Sequence, residues 1–247
     1  MKKNRIYNFL ILMLLYIAFA CFPFELIIRD SSIICLWCRI GVQILFLICS
    51  FLVVKFKTDF DIKLKARNLK MVFILAPTII VVASNFMYLA FVPTDINISY
   101  TTEVLLKILL TVFVVLNEEF IFRLLLINNI EEGSNWKKIL ISAGLFAVCH
   151  LTTFISTLNP YDLIVPVYTF ALGVLLAIIF IKTNSIEMCA LFHLLFNVIN
   201  SILFEMIVPS VSNIGFYFLG NIIPVILVVM YLGVLLLSEK MVIGKEK

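Results

Sequence analysis

Runs of about 20 residues with scarcely a charge recur along this 247-residue chain, and each is long enough to cross a bilayer's hydrocarbon core as a helix. In lipid no water is at hand to satisfy backbone N–H and C=O groups, so only helices and closed barrels can span. The runs are continuously apolar rather than alternating, which excludes a barrel. With 63% hydrophobic and only 14% charged residues and a mean hydropathy of +1.15, the chain has more apolar surface than one soluble core could hide. The expected fold is an all-α, polytopic integral membrane protein of about eight transmembrane helices. These are placed near 6–28, 33–54, 71–92, 104–127, 138–158, 162–182, 186–207 and 213–237. The first run follows Lys2, Lys3 and Arg5 and reaches Ile28, too long for a cleaved signal peptide, so it is read as a retained span.

The net charge of +4 does not call for nucleic acid. Its distribution follows the positive-inside rule. With both termini in the cytoplasm, Lys2, Lys3, Arg5, the basic segment 55–70, Lys137, Lys138, Lys182 and the lysines of the tail share that side. The opposite loops keep only Arg29 among the acids Asp30, Asp95 and Asp162. A multi-pass protein of the cell membrane is expected, with lipid as its first partner. Segment 55–70 mixes lysines with Phe60, Ile62, Leu64 and Leu69, and reads as a solvated loop or a short interfacial helix. The six cysteines lie mostly in apolar segments and read as buried thiols, including the Cys35/Cys38 pair, which lacks the context of a redox motif. Without an internal repeat, residues 1–247 read as one membrane domain.

The exceptions to apolarity carry the function. Glu25 and Arg39, toward the outer ends of the first two spans, are expected to pair with each other, and Lys107, Glu103 and Glu205 sit near span ends where side chains reach the interface. Glu118, Glu119 and Arg123 in the fourth span, His150 in the fifth, and His193 with Asn197 in the seventh are deeper. An ionised group at depth costs at least ~2.5 kcal/mol, and three fall here within six residues. They must compensate one another. Residues four apart share a helix face, so Glu119 is expected to pair with Arg123, acid before base. Glu118 points about 100° away from Glu119 and is left free for chemistry. His193 and Asn197, also four apart, project to one spot. At ~1.5 Å per residue, Glu118, His150 and His193 lie roughly 10–18 Å in from the cytoplasmic ends of their spans, which implies a chamber open to the cytoplasm.

Three functional classes suit such a cluster. A small transporter or proton relay would use intramembrane carboxylates and histidines, but would be expected to carry Gly/Pro-interrupted helices in matching halves. A non-catalytic immunity or scaffold protein would use polar groups as glue, normally Ser, Thr or Asn rather than three charges. A hydrolase needs a base for water, a group that holds that water, and donors for an oxyanion. No H-E-x-x-H is present, so ordinary zincin chemistry is excluded.

The order Glu118-Glu119-Phe-Ile-Phe-Arg123, Phe146-Ala-Val-Cys-His150 and His193-Leu-Leu-Phe-Asn197 resembles the CPBP intramembrane proteases, also called the CAAX protease or Abi family, whose motifs are E-E-x-x-x-R, F-x-x-x-H and H-x-x-x-N. The resemblance covers about residues 100–200, with Gly173 through Ile186 looking like the family's lead-in to the third motif. Leu124 departs from the Gly many members carry after the Arg. The resemblance implies an intramembrane endopeptidase acting on a membrane-associated protein or peptide near the cytoplasmic side. CAAX-like processing and maturation of a bacteriocin or signal peptide are the expected settings, and self-immunity is the alternative. It further implies Glu118 as the general base, His150 positioning the water, His193 and Asn197 binding the oxyanion, and Glu119 with Arg123 orienting the site. A metal-free mechanism is the expectation. A zinc enzyme would instead take Glu118, His150 and His193 as ligands.

Overall fold

The computed structural model describes residues 3–20, 32–57, 101–130, 134–203, 226–227 and 229–230. The span expected at 71–92, most of that at 213–237, the rest of segment 55–70 beyond Lys57, and Glu25 lie outside the described residues. The described elements are all helical: α1 (Lys3–Ala20), α2 (Ser32–Lys57), α3 (Thr101–Glu119), a π-helix (Phe120–Ile127), α4 (Asn135–Cys149), α5 (Leu151–Thr157), a 3-10 turn (Pro160–Leu163), α6 (Ile164–Thr183), α7 (Ile186–Asn197) and a second π-helix (Val198–Leu203). Three stretches, Ser32–Phe56, Asn135–Ile155 and Ile164–Thr183, are each long and apolar enough to cross a membrane. The chain is therefore an all-α, multi-pass membrane protein.

Each peripheral helix shows which face meets protein and which meets lipid. On α1 the buried residues Phe9, Leu12, Met13 and Tyr16 recur at helical spacing, while Ile11 and Leu14 stand exposed. On α2 a seam of Gln43, Phe46, Ser50 and Val54 is buried, and Trp37, Leu45, Ile48 and Phe51 face outward. An apolar exposed face next to a partly polar buried one inverts the soluble pattern. Lipid is as apolar as leucine, so helices here associate by close packing and polar contacts rather than by escaping water.

At the centre is α6, buried along most of its length. It packs extensively on α4, with a close approach at Gly173. A Cβ there would stand 3.0 Å from the Ala143 Cα and 3.2 Å from the Phe146 ring. Glycine is thus what lets α4 and α6 touch, and the touch fixes Phe146. Asn184, in the left-handed conformation at φ 52°, ends α6 with its N–H on the Phe180 carbonyl, as such a cap requires. Ser185 then caps α7, its hydroxyl accepting from the Met188 N–H and donating to Glu187. A two-residue turn so tight sets α7 beside α6, and α7 also packs on α3. Thus α4, α7 and the π-helix that follows α3 pack on α6, and α3 joins them through α7.

Candidate active site

The first motif straddles a change of helix type. Glu118 and Glu119 end α3, and Arg123 lies in the π-helix that follows, all eight of whose residues are buried. Such widened turns recur at functional sites because they shift side chains off the regular spiral. The Glu119–Arg123 pairing expected from spacing forms, with Arg123 Nε 3.2 Å from Glu119 Oε2 and both side chains fully buried. The contact is ionic rather than an aligned hydrogen bond, since neither atom meets hydrogen-bond geometry. The guanidinium also lies over the Phe146 ring, its carbon 4.7 Å from the centroid, a cation–π contact that gains strength away from water. Leu124, at the position where glycine was noted as usual, is buried in the same turn.

His150 sits at the break between α4 and α5. Its backbone N–H turns to the Ala147 carbonyl, and its ring Nδ1 lies 2.9 Å from the Phe146 carbonyl oxygen. A carbonyl only accepts, so Nδ1 carries the proton and Nε2 presents a lone pair. That Nε2 is 3.9 Å from Glu118 Oε1. His193 is oriented from the other side. Its Nδ1 is 2.8 Å from Glu119 Oε1, so it donates to the carboxylate, and its Nε2 is 3.6 Å from Glu118 Oε2. Phe146 lies between the two imidazoles, with ring centroids 4.6 Å from His150 and 5.6 Å from His193.

The residues singled out in the sequence are thus largely brought together, with one rearrangement. Glu118 was expected to point away from Glu119, with His150 on the water and His193 with Asn197 on the oxyanion. Instead Glu118 stands between both Nε2 atoms, and His193 bridges the two glutamates. Asn197 is half-buried one turn beyond His193 at the end of α7, and no hydrogen bond ties it to the carboxylates or the imidazoles.

Two contributors gave no signal in the motifs. The Tyr16 hydroxyl of α1 donates to Glu118 Oε1 at 3.1 Å, although 102 residues separate them. A cavity of about 200 Å3 is lined by Tyr16, Arg39, Gln43, Glu118, Cys149 and His150 among others. Arg39, expected only as a partner of Glu25, therefore belongs to the wall of the chamber. An aromatic or an amide inside an apolar run is too ordinary to be flagged from sequence; an unexplained Gln in mid-span was the one available hint.

Among the described residues no three His, Cys, Asp or Glu side chains are grouped to hold a metal ion. The cysteines at 35, 38, 49, 149 and 189 are free thiols.

Comparison with curated proteins and with solved structures finds no match. Residues 100–199, the interval holding all three motifs, match the family model described as Type II CAAX prenyl endopeptidase Rce1-like, so over that interval the chain is similar to the family that its motifs resemble.

Proposed function

We propose that the protein is a glutamate-dependent intramembrane endopeptidase that hydrolyses a peptide bond of a membrane-associated protein or peptide, in the manner of CAAX processing. The observation that carries this reading is Glu118, only 6% exposed, with an imidazole Nε2 facing each of its oxygens at 3.9 and 3.6 Å beside a cavity. Those gaps are too long for direct hydrogen bonds and suit a water held between carboxylate and imidazole.

In the proposed reaction Glu118 removes a proton from that water as it attacks the substrate carbonyl, and His150 Nε2 accepts the water's other hydrogen to aim its lone pair. The C–O bond forms and the carbonyl electrons move to oxygen. His193 and Asn197, one turn apart on α7, are assigned to that oxyanion. In its doubly protonated form His193 donates from Nδ1 to Glu119 and from Nε2 to the oxyanion, keeping both protons through the step while Glu119 compensates the charge on the ring. Collapse of the intermediate breaks the C–N bond, and Glu118 returns its proton to the leaving amine. The atoms balance without a cofactor.

The basic residues of the intervening segments support an arrangement with both termini in the cytoplasm and the chamber reached from that side. Bacteriocin or signal-peptide maturation and CAAX-type processing are the settings proposed for the substrate. Comparative peptidomics of membranes from cells carrying the wild-type chain or Glu118→Gln tests the reading. Peptides released only by the wild type are expected. Identical peptidomes would remove the protease reading in favour of a scaffold, immunity or transport role.

A further inference from the structure

The wall of the chamber outside the three motifs contains one hydrogen-bond donor whose orientation can be fixed from its neighbours. Gln43 lies in the middle of α2, is 4% exposed and lines the cavity with Glu118 and His150. Asn117, the residue before Glu118, sits against it. The Asn117 Nδ2 is 3.0 Å from the Gln43 backbone carbonyl oxygen and 2.7 Å from the Gln43 side-chain Oε1. A backbone carbonyl can only accept, so the Asn117 atom facing it is the nitrogen, and the Gln43 atom facing the same NH2 is the oxygen. The remaining end of the Gln43 amide is therefore Nε2, a two-proton donor. It makes no hydrogen bond among the described residues, yet it is not among the fully enclosed unpartnered atoms, and the cavity it lines is open to it.

A donor in that setting has a cost that something must offset. A buried amide without a partner loses about 1–3 kcal/mol of solvation, and replacing Gln43 by an apolar residue would avoid it. Asn117 instead holds the amide rigidly with its donor end free. The group a donor satisfies in a peptide hydrolase is a carbonyl oxygen, of which each substrate residue carries one.

Building on the proteolytic reading above, we propose that Gln43 is a substrate-binding residue whose Nε2 donates to a carbonyl oxygen of the peptide in the chamber, so that α2, outside the Rce1-like interval, forms part of the substrate site. Asn117 is its positioning residue and couples the substrate site to the helix that carries Glu118.

The test compares wild type, Gln43→Met, Gln43→Glu, Asn117→Ala and Glu118→Gln at matched abundance, with peptidomics of isolated membranes over time. Peptides whose release requires Glu118 define the product set. Gln43→Met keeps the volume and removes the donor. Gln43→Glu also removes the donor but keeps the acceptor that Asn117 uses, and so stands in if the methionine variant does not accumulate. Asn117→Ala removes the anchor and leaves the donor. Product release about tenfold slower in both Gln43 variants, the loss of one neutral hydrogen bond, with a smaller loss in Asn117→Ala, supports substrate binding. Wild-type rates in either Gln43 variant, or a loss in Asn117→Ala as large as in Gln43→Met, overturn it and leave Gln43 a structural strut. If no peptide depends on Glu118, the proteolytic reading fails first, and the substrate role of Gln43 falls with it.

Discussion

His193 Nδ1 lies 2.8 Å from Glu119 Oε1, and the other oxygen of that carboxylate lies 3.2 Å from Arg123 Nε. Guanidinium, carboxylate and imidazole form a buried line from two neighbouring turns of chain and a helix 74 residues away. The line orients the His193 ring and turns Nε2 toward Glu118. Its members stabilise the site as a unit, so breaking one should have effects the others cannot absorb.

Replacing Arg123 by Met should destabilise the protein by roughly 3–5 kcal/mol, since it leaves Glu119 buried without its counterion. The double variant Arg123→Met with Glu119→Gln should regain much of that stability while remaining inactive, because the neutral amide no longer compensates charge on His193. Thermal unfolding in detergent read beside cleavage separates the two effects. A double variant no more stable than the single would contradict the pairing.

Glu118→Gln and His150→Ala should each lower peptide release by about 100-fold or more, the range expected when a general base or its water-holding partner is removed, with insertion and abundance near wild type. Peptidomics together with quantitative immunoblotting provides the check. Full activity in either variant is incompatible with the mechanism.

Tyr16→Phe keeps the ring that packs on Phe46, with centroids 5.5 Å apart, and removes only the hydroxyl that holds Glu118 Oε1. A hydrogen bond to a charged group contributes about 1.5–3 kcal/mol, so the rate of product release should fall about tenfold or more. Thermal stability should fall by a comparable free energy, so rates are compared at matched folded abundance, and a variant that cleaves at the wild-type rate would show the contact to be idle.

Gly173→Val should disturb the site from outside it. The new side chain would begin 3.0 Å from the Ala143 backbone and 3.2 Å from the Phe146 ring, forcing α4 and α6 apart at about 1–3 kcal/mol. Phe146 touches both imidazoles and Arg123, so activity should drop with stability, measured as melting temperature and product release in one preparation.

Exhaustive chelation should leave cleavage intact, and elemental analysis of active protein should find no stoichiometric zinc. Activity lost on chelation and restored by zinc would replace the metal-free mechanism.

The sequence by itself determined the solvent and the local pairings. Apolar runs too long for a soluble core dictated membrane helices, because lipid leaves the backbone no other way to satisfy itself. The four-residue step from Glu119 to Arg123 dictated their ion pair, since it lies within one element whose period is known. Three motifs in order singled out the polar groups that the resemblance assigns to the site. Only the tertiary structure decided how these groups meet: that Glu118 stands between two imidazoles, that His193 bridges both glutamates, and that Tyr16 and Gln43 close the chamber from α1 and α2. Those contacts depend on how helices far apart in sequence approach one another, at Gly173 against Ala143 and through Asn117 against Gln43. The period of one helix records which face is buried, but nothing in it names the residue on the facing helix.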